Sequence, residues 1–490
     1  MKKYLLGRFV RSIVSVIAVV CIAIVMVYTM IPKEKVFLQD PNINKLMGDA
    51  RTVYMYTKWR DLGYLDFARQ QTVCSASSDY DSCMAGKGDF EVLLKTYTDK
   101  GYNTETLQSG ETIIYREYNP FELITGIFGN MIKVDNPNVV QDPDNPNLER
   151  KYYIKNGPNG LPAVACSGCT YEYQLYVNSS FPFIHQNALK LNFGKSYPTF
   201  SGLDTMDVIN SGQGDMKMSE VTFPTGVTSN SPLNLYTCQY KNTSTLDKMD
   251  KNRFPDNYAK CLNNYSDLSM TGNSYLFGII ALILAYVVAL PAGIIMAQKK
   301  DKWQDKLGIV YINLMIAVPS LAFILFAKQL GNMAGLPDKF PQLGASDPRS
   351  YILPILILGL LSTAGIMIWI RRYMIDQSNS DYVKFARAKG LSQKEIFRKH
   401  ILKNAIIPIV NGIPSSIILC ISGSVITESV FAIPGMGKML PDSIKAYNNN
   451  MVITLTFIFT ALSVFSLLLG DVLMTFVDPR IQLSSKGDSR

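Results

Sequence analysis

Six runs of apolar residues, each close to the length a helix needs to cross a bilayer, constrain this chain more than any other feature of its 490 residues. Bilayer hydrocarbon is about 30 Å thick and a helix rises about 1.5 Å per residue, so about 20 apolar residues make one crossing. The first run covers residues 12–31. The others, 275–297, 307–327, 351–370, 405–427 and 451–477, follow a long polar stretch. With 48% hydrophobic residues the chain is too apolar for an ordinary soluble protein and too polar to be membrane throughout, which fits this division. Lys2, Lys3, Arg8 and Arg11 before the first run give it the look of a signal peptide. It is too long for one, however, and ends in Ile31-Pro32-Lys33-Glu34 without small residues for cleavage, so it reads as an anchor.

Basic residues are retained on the cytoplasmic side of a membrane. Lys299, Lys300, Lys302 and Lys306 follow the second run, Arg371, Arg372 and the segment 384–403 follow the fourth, and Arg480, Lys486 and Arg490 follow the sixth. With the basic N-terminus, these clusters agree on one orientation, both termini inside and the polar stretch outside. The net charge of +9 is thus read as topology and not as a nucleic-acid surface. The expected fold is an all-α polytopic membrane protein of six transmembrane helices carrying a mixed α/β extracellular insert. Its parts are 1–31 (tail and first helix), 32–273 (insert) and 274–490 (core with a cytoplasmic loop at 378–404). Pro291, Pro319, Pro354, Pro408 and Pro414 lie within the apolar runs, where proline bends a helix and needs packed neighbours.

Chemistry is scarce. Two histidines, His185 and His400, leave little material for a metal centre or a Ser/His/Asp hydrolase. No segment reads Gly-x-x-x-x-Gly-Lys-Ser/Thr, and Gly435-Met436-Gly437-Lys438 lacks both its spacing and its hydroxyl, so this chain does not hold ATP by that means. Six of the eight cysteines, Cys74, Cys83, Cys166, Cys169, Cys238 and Cys261, fall in the insert, where an oxidising exterior can pair them all. Pairing of neighbours is one of many connectivities, and Cys166-Ser-Gly-Cys169 also fits a redox motif or half a zinc site. In the insert, alternation over 171–177 suggests strand and 121–134 an amphipathic helix.

The informative segment is the loop 378–404. A short helix capped by Ser380 or Asp381 runs to Gly390, the residue that tolerates a left-handed closing turn; Ser392 then caps a second helix, with Glu395 placed to complete a capping box. In that second helix Ile396, Phe397 and Ile401 can share one face. A solvated basic surface on anionic lipid is the bland reading, and a DNA-binding helix-turn-helix is disfavoured by the short ties to membrane runs at both ends.

At this point the sequence resembles a known family. Asp381-Tyr382-Val383-Lys384-Phe385-Ala386-Arg387-Ala388-Lys389-Gly390-Leu391-Ser392, followed by His400-Ile401-Leu402-Lys403-Asn404-Ala405 and Pro408, is similar to the cytoplasmic signature of ABC-importer permeases of the oligopeptide/dipeptide group. The general form of that signature has Glu-Ala-Ala, Gly and a later Leu-Pro. Lys384, Phe385 and Lys403 depart from it, whereas Ala386 and Gly390 keep it. Further landmarks that look like the same permeases are Ile370-Arg371-Arg372-Tyr373, Thr427-Glu428-Ser429-Val430-Phe431 with Pro434-Gly435-Met436-Gly437, Gly470-Asp471 through Asp478-Pro479-Arg480-Ile481, and Leu191-Asn192-Phe193-Gly194-Lys195-Ser196. The short tail resembles the first permease subunit, the Opp B or Ami C type, and the large insert its Gram-positive form.

The resemblance implies a type I importer permease in the cell membrane of a Gram-positive bacterium, importing oligopeptides. It would form the pathway with a second homologous permease and work with two ABC ATPase subunits, which bind ATP and Mg, and an extracellular peptide-binding lipoprotein. The chain itself is expected to be no enzyme and to bind no cofactor, metal or nucleic acid. The residues expected to meet an ATPase are Tyr382, Val383, Phe385, Ala386, Arg387, Ala388, Lys389, Gly390, Leu391, Glu395, Phe397 and His400. Ala386, Gly390 and Leu391 would permit close approach, and Arg387, Lys389 and Glu395 would fix register. Polar residues within spans that can line a peptide pathway, or merely bond across helix contacts, are Asn313, Ser320, Ser362, Thr363, Asn411, Ser415, Ser416, Ser422 and Glu428. The insert is expected to be a docking surface or funnel for the binding lipoprotein, or a plain stabilising cap. Rival readings are an ATP-independent secondary transporter, which predicts repeated halves, and a membrane sensor with an outer ligand domain.

Overall fold

The computed structural model describes residues 2–179, 183–420 and 425–477. It divides into two compact units, one of residues 27–268 and one of residues 1–26 with 269–490.

In the second of these the helices are α1 (Lys2–Val25), α2 (Met270–Gln298), α3 (Trp303–Ala317), α4 (Ser320–Met333), α5 (Arg349–Ser378), α6 (Asp381–Ala388), α7 (Gln393–Ile396), α8 (Ile407–Leu419), α9 (Val425–Phe431), α10 (Met436–Lys445) and α11 (Asn449–Val477). Among the described residues five helices are long and apolar enough to span a membrane. They become six if the bent pair α3 and α4 counts as one crossing.

That pair corrects the expectation of one continuous span over 307–327, since the chain turns by 106° between α3 and α4. The cause is local. A proline disfavours helical geometry in the residue before it, and Val318 (φ −77°, ψ 126°) and Pro319 (φ −56°, ψ 130°) are both extended. Pro291, Pro354 and Pro414 instead lie inside helices that continue through them.

α2 and α5 pack together along a face of small residues. Gly278, Ala281, Ala285, Ala289 and Gly293 recur at helical spacing on α2 and are all buried. A Cβ on Gly293 would lie 1.9 Å from Ile370 Cγ2, and one on Gly359 would lie 3.1 Å from the Ala281 carbonyl oxygen. In lipid, apolar burial gives helices little reason to associate, so close backbone approach and van der Waals contact must hold them together. Apolar clusters lie along this pair. Ala289, Met296, Ile312, Ala364 and Met367 form one, and Phe277, Ile324, Phe340, Leu353, Ile357, Phe431 and Ile433 form another.

The 27–268 unit is mixed α and β. A three-stranded antiparallel sheet orders Leu65–Arg69, Thr112–Glu117 and Asn103–Thr106. A four-stranded antiparallel meander runs Lys151–Asn156, Pro162–Ser167, Tyr173–Val177 and Ile184–Gln186. Helix Pro120–Met131 starts with a full capping box between Asn119 and Glu122, then gives way to strand at Ile132–Val134, so the amphipathic helix expected over 121–134 is three residues shorter at its end. The buried carboxylate of Asp40 accepts hydrogen bonds from the hydroxyls of Tyr54 (2.7 Å) and Tyr197 (2.6 Å), tying residues far apart in sequence.

Cysteines pair with their neighbours: Cys74 with Cys83, Cys166 with Cys169, and Cys238 with Cys261. Cys74, Cys83, Cys166 and Cys169 are fully buried. Two pairs sit inside apolar clusters, beside Phe90 in one and beside Phe223 and Tyr258 in the other. A bridge stabilises more the longer the loop it closes, so Cys238–Cys261, 23 residues apart, contributes more than Cys74–Cys83 at 9 or Cys166–Cys169 at 3.

Two outcomes are expected. Peptide mapping of the unreduced chain should recover these three neighbour pairings and no others. Replacing Gly293 by leucine should force α2 and α5 apart, at a cost of about 1–3 kcal/mol or more for overpacking. Thermal unfolding of the detergent-solubilised protein would read this as a clearly lowered melting temperature.

Candidate functional site

The segment between α5 and α8 is built as a fastened lever. α6 closes with Gly390 at φ +81°, a left-handed conformation that costs an L side chain about 1–2 kcal/mol. The Gly390 amide donates to the Arg387 carbonyl (3.0 Å) and the Leu391 amide to the Ala386 carbonyl (3.3 Å), the paired bonds of a Schellman turn. A Cβ on Gly390 would meet nothing within 4 Å, so backbone conformation, not lack of space, calls for glycine there. α7 is capped by Ser392, whose Oγ accepts from the Glu395 amide (3.3 Å). The Glu395 carboxylate does not complete the expected box but turns to Lys399 Nζ (2.7 Å), one helical turn on. A π-helical turn, Phe397–Ile401, carries the chain toward α8.

One face of this segment belongs to the membrane unit. Val383, Ala386, Ile396, Ile401 and Ala405 are buried in one cluster with Ile370 and Met374 of α5, and Leu391 and Phe397 pack against it. Tyr382 adds polar ties from its hydroxyl to Gln377 Oε1 (2.7 Å) and to the His400 carbonyl (3.5 Å). The small side chain of Ala386, expected to permit close approach of an ATPase, is here packed with Val383 against α5. Leu391 is likewise half-buried against the same cluster. The opposite face is open. Phe385 is 62% exposed, the Lys389 ammonium lies 4.7 Å above its ring, and Arg387, Ala388, Lys389 and Gly390 are exposed around it.

An ion pair that the sequence reading missed stands behind the lever. Asp305, in the first turn of α3, is fully buried and receives both Nε (2.7 Å) and Nη2 (2.8 Å) of Arg371, near the end of α5. It also accepts from the Asp301 amide (2.9 Å). A forked guanidinium–carboxylate contact fixes both distance and orientation. The available signal was a pair of acids, Asp301 and Asp305, among the lysines before the third apolar run, with an arginine at the end of the fourth.

Among the described residues, the pathway candidates take several settings. Thr363 is buried and its Oγ1 lies 2.6 Å from the Tyr311 hydroxyl, while Ser415 donates to the Ser466 carbonyl (2.9 Å); both bond across helix contacts. Ser416 and Ser362 donate to carbonyls of their own helices, Gly412 (3.0 Å) and Leu358 (3.2 Å). Asn313, Ser320 and Ser362 are exposed. The side chain of Asn411 and all of Ser422 lie outside the described residues.

Glu428 is only 3% exposed and acts as a staple. Its carboxylate accepts from Ser274 Oγ (2.9 Å) and from the Lys438 amide (2.9 Å). Ser274 Oγ in turn accepts from the Met436 amide (2.9 Å), and Asn273 donates to the Pro434 carbonyl (3.0 Å). A Cβ on Gly435 would fall 2.4 Å from Glu428 Oε2, so any larger residue there would have to displace this carboxylate. Together these bonds tie the start of α2 to the turn between α9 and α10. Asp471 of α11 pairs with Arg8 of α1.

The family of binding-protein-dependent transport system inner membrane components matches residues 289–483. Over 99% of this chain and the whole of the relative, the sequence is 43% identical to the oligopeptide transport system permease protein AmiC of Streptococcus pneumoniae. The dipeptide transport system permease protein DppB of Bacillus subtilis is 30% identical over 44% of this chain and 69% of its own length. Its namesake from Lactococcus lactis is 34% identical over 41% of this chain and 66% of its own.

Removing one partner from a buried ion pair leaves the other charge uncompensated, at a cost of about 3–5 kcal/mol. Arg371→Met should therefore destabilise the chain strongly, and the double variant Asp305→Leu with Arg371→Met should recover much of the loss. Thermal melting of the single and double variants in detergent checks this.

Proposed function

Since this chain belongs to the oligopeptide permease family of binding-protein-dependent transport systems, we propose that it is one of two membrane subunits forming the pathway of an ATP-driven importer of oligopeptides, with the segment 381–400 as the contact to an ATPase. The chain is a transport component and not an enzyme. The family membership supports this reading and gives none to a secondary transporter or a sensor. In the proposed assembly both termini and the lever face the cytoplasm, the insert faces outward, and a peptide-binding protein delivers the substrate there. A second permease completes the pathway, and two partner ATPases bind ATP and Mg.

The observation that carries the reading is the division of the lever into two faces. A helix pair whose Val383, Ala386, Ile396 and Ile401 are buried against α5 moves with the membrane helices. The opposite side offers a ring, Phe385, with Arg387 and Lys389 beside it, and so gives a partner an apolar anchor flanked by cations. Closure of the ATPase pair on ATP would press on that side and rotate α5 and its neighbours as a body, a two-state switch that needs no nucleotide on this chain. The small-residue contact between α2 and α5 would carry the displacement into the bundle.

Two substitutions test the lever in the full complex reconstituted in liposomes. Gly390→Val should disturb the turn and Phe385→Asp should remove the anchor, and each is expected to cut ATP-dependent peptide uptake by about tenfold or more, the scale of a lost interface anchor. The subunit itself should still be inserted and folded. Uptake at the normal rate in both variants would refute the docking role.

A further inference from the structure

A cavity of about 310 Å³ lies within the 27–268 unit, apart from the lever. Its size is at the lower end of small-molecule sites. Strands Ile132–Val134 and Leu189–Leu191 pair beside it in a register that sets Lys133 directly opposite Lys190. Two like charges facing each other across strands repel. Asp204 precedes helix Thr205–Asn210 and Asp207 stands in its first turn, with no capping bond from the Asp204 side chain. All four residues line the cavity. None forms an ion pair with another side chain among the described residues. The Lys190 ammonium instead lies 4.2 Å above the ring of Tyr171, whose hydroxyl accepts from Gln239 (2.9 Å).

Asp135 lines the same space but is already satisfied, accepting from the amides of Thr170 (2.6 Å) and Tyr171 (2.9 Å) and from Gln174 Nε2 (2.8 Å). Burial lowers the proton affinity of Lys190 against the pull of nearby acids, and raises that of Asp207 against the pull of Lys190. A partly buried cation and a partly buried acid, Lys190 and Asp207, with the more exposed Lys133 and Asp204 beside them and no ion pair closed between them, mark a site for a ligand that carries both signs. Tyr171, Phe193 and Leu191 add apolar surface to the lining.

We propose that this cavity binds a short zwitterion of the amino-acid or dipeptide class, its carboxylate at Lys133 and Lys190, its ammonium at Asp204 and Asp207, and its side chain against Tyr171 and Phe193. The proposal deepens the peptide-import reading and rests on it for the choice of ligand. It places a substrate-recognising site on the permease chain itself, within the unit formed by the insert.

The test is equilibrium binding of radiolabelled Ala-Phe to the full-length chain in nanodiscs, with free phenylalanine, N-acetyl-Ala-Phe and Ala-Phe-amide as competitors. Saturable binding is expected, with either blocked dipeptide at least about tenfold weaker than Ala-Phe, the scale of losing one charged hydrogen-bonded contact. Free phenylalanine competing as well as unlabelled Ala-Phe would assign the site to amino acids, and weaker competition would assign it to dipeptides; both support the zwitterion site. Lys190→Gln and Asp207→Asn should each weaken binding by about tenfold or more. Asp204→Asn, at an exposed position, gives a variant that keeps the buried wall intact, and melting temperatures confirm folding of all three. The proposal is overturned if Ala-Phe shows no saturable binding, if blocking its ends makes no difference, or if none of the folded variants alters affinity. ATP-dependent peptide uptake by the reconstituted complex separates the two readings. Absent binding with intact uptake removes only this site, and absence of both removes the import reading as well.

Discussion

A loop can transmit force only if its back is fastened, and in this chain the fastening is the burial of Val383, Ala386, Ile396, Ile401 and Ala405 against Ile370 and Met374 at the end of α5. Each buried Val or Ile side chain contributes about 1.5–3 kcal/mol relative to exposure to water, and each buried alanine about 0.8 kcal/mol, so the face as a whole outweighs the thermal motion that would peel a short helix away. The Schellman turn at Gly390 and the ties from Tyr382 hold the two short helices at a fixed angle. The Asp305–Arg371 pair then fixes the root of the lever to α3. Force on the open face accordingly meets a connected solid, not a tether.

The same logic extends into the bundle through a different interaction. The buried face of α2 carries alanines and glycines, and the backbones of α2 and α5 approach until a single added carbon on Gly293 would collide with Ile370. Interfaces packed this closely slide or rotate as units and do not deform gradually. At the end of the unit where α2 begins, Glu428 and Ser274 bind that start to the turn before α10. α2 is thus held near both ends, by close packing on one side and by a buried carboxylate on the other.

Much of this was legible in the sequence because long apolar runs and capping residues act locally. The apolar runs, the two-helix loop, its glycine closure and the Ser392 cap all follow from residues within one or two turns of each other. The break at Pro319 was visible as a proline but not as a 106° turn, because proline is also tolerated inside helices, as Pro291 and Pro354 show here. What stayed hidden depends on distant pairs. The packing of Ala386 against α5 follows from a fold that brings 370–374 beside it, and the meeting of Asp305 with Arg371 spans 66 residues. Among the pathway candidates, Thr363 and Ser415 bond across helices, a role that a serine or threonine in an apolar run does not distinguish from lining a channel. Neighbour pairing of the cysteines was one open choice among many, and it became definite only once the strands and helices around them were placed.

The account stands on one face of the lever docking and the other holding. The most direct measurement is photo-crosslinking in the intact membrane complex, with a photoreactive amino acid at Phe385 in one preparation and at Val383 in another. Capture of an ATPase subunit from position 385, with position 383 crosslinking only within the permease, is the predicted result. Capture from 383 but not from 385, or no ATPase captured from either, would contradict it.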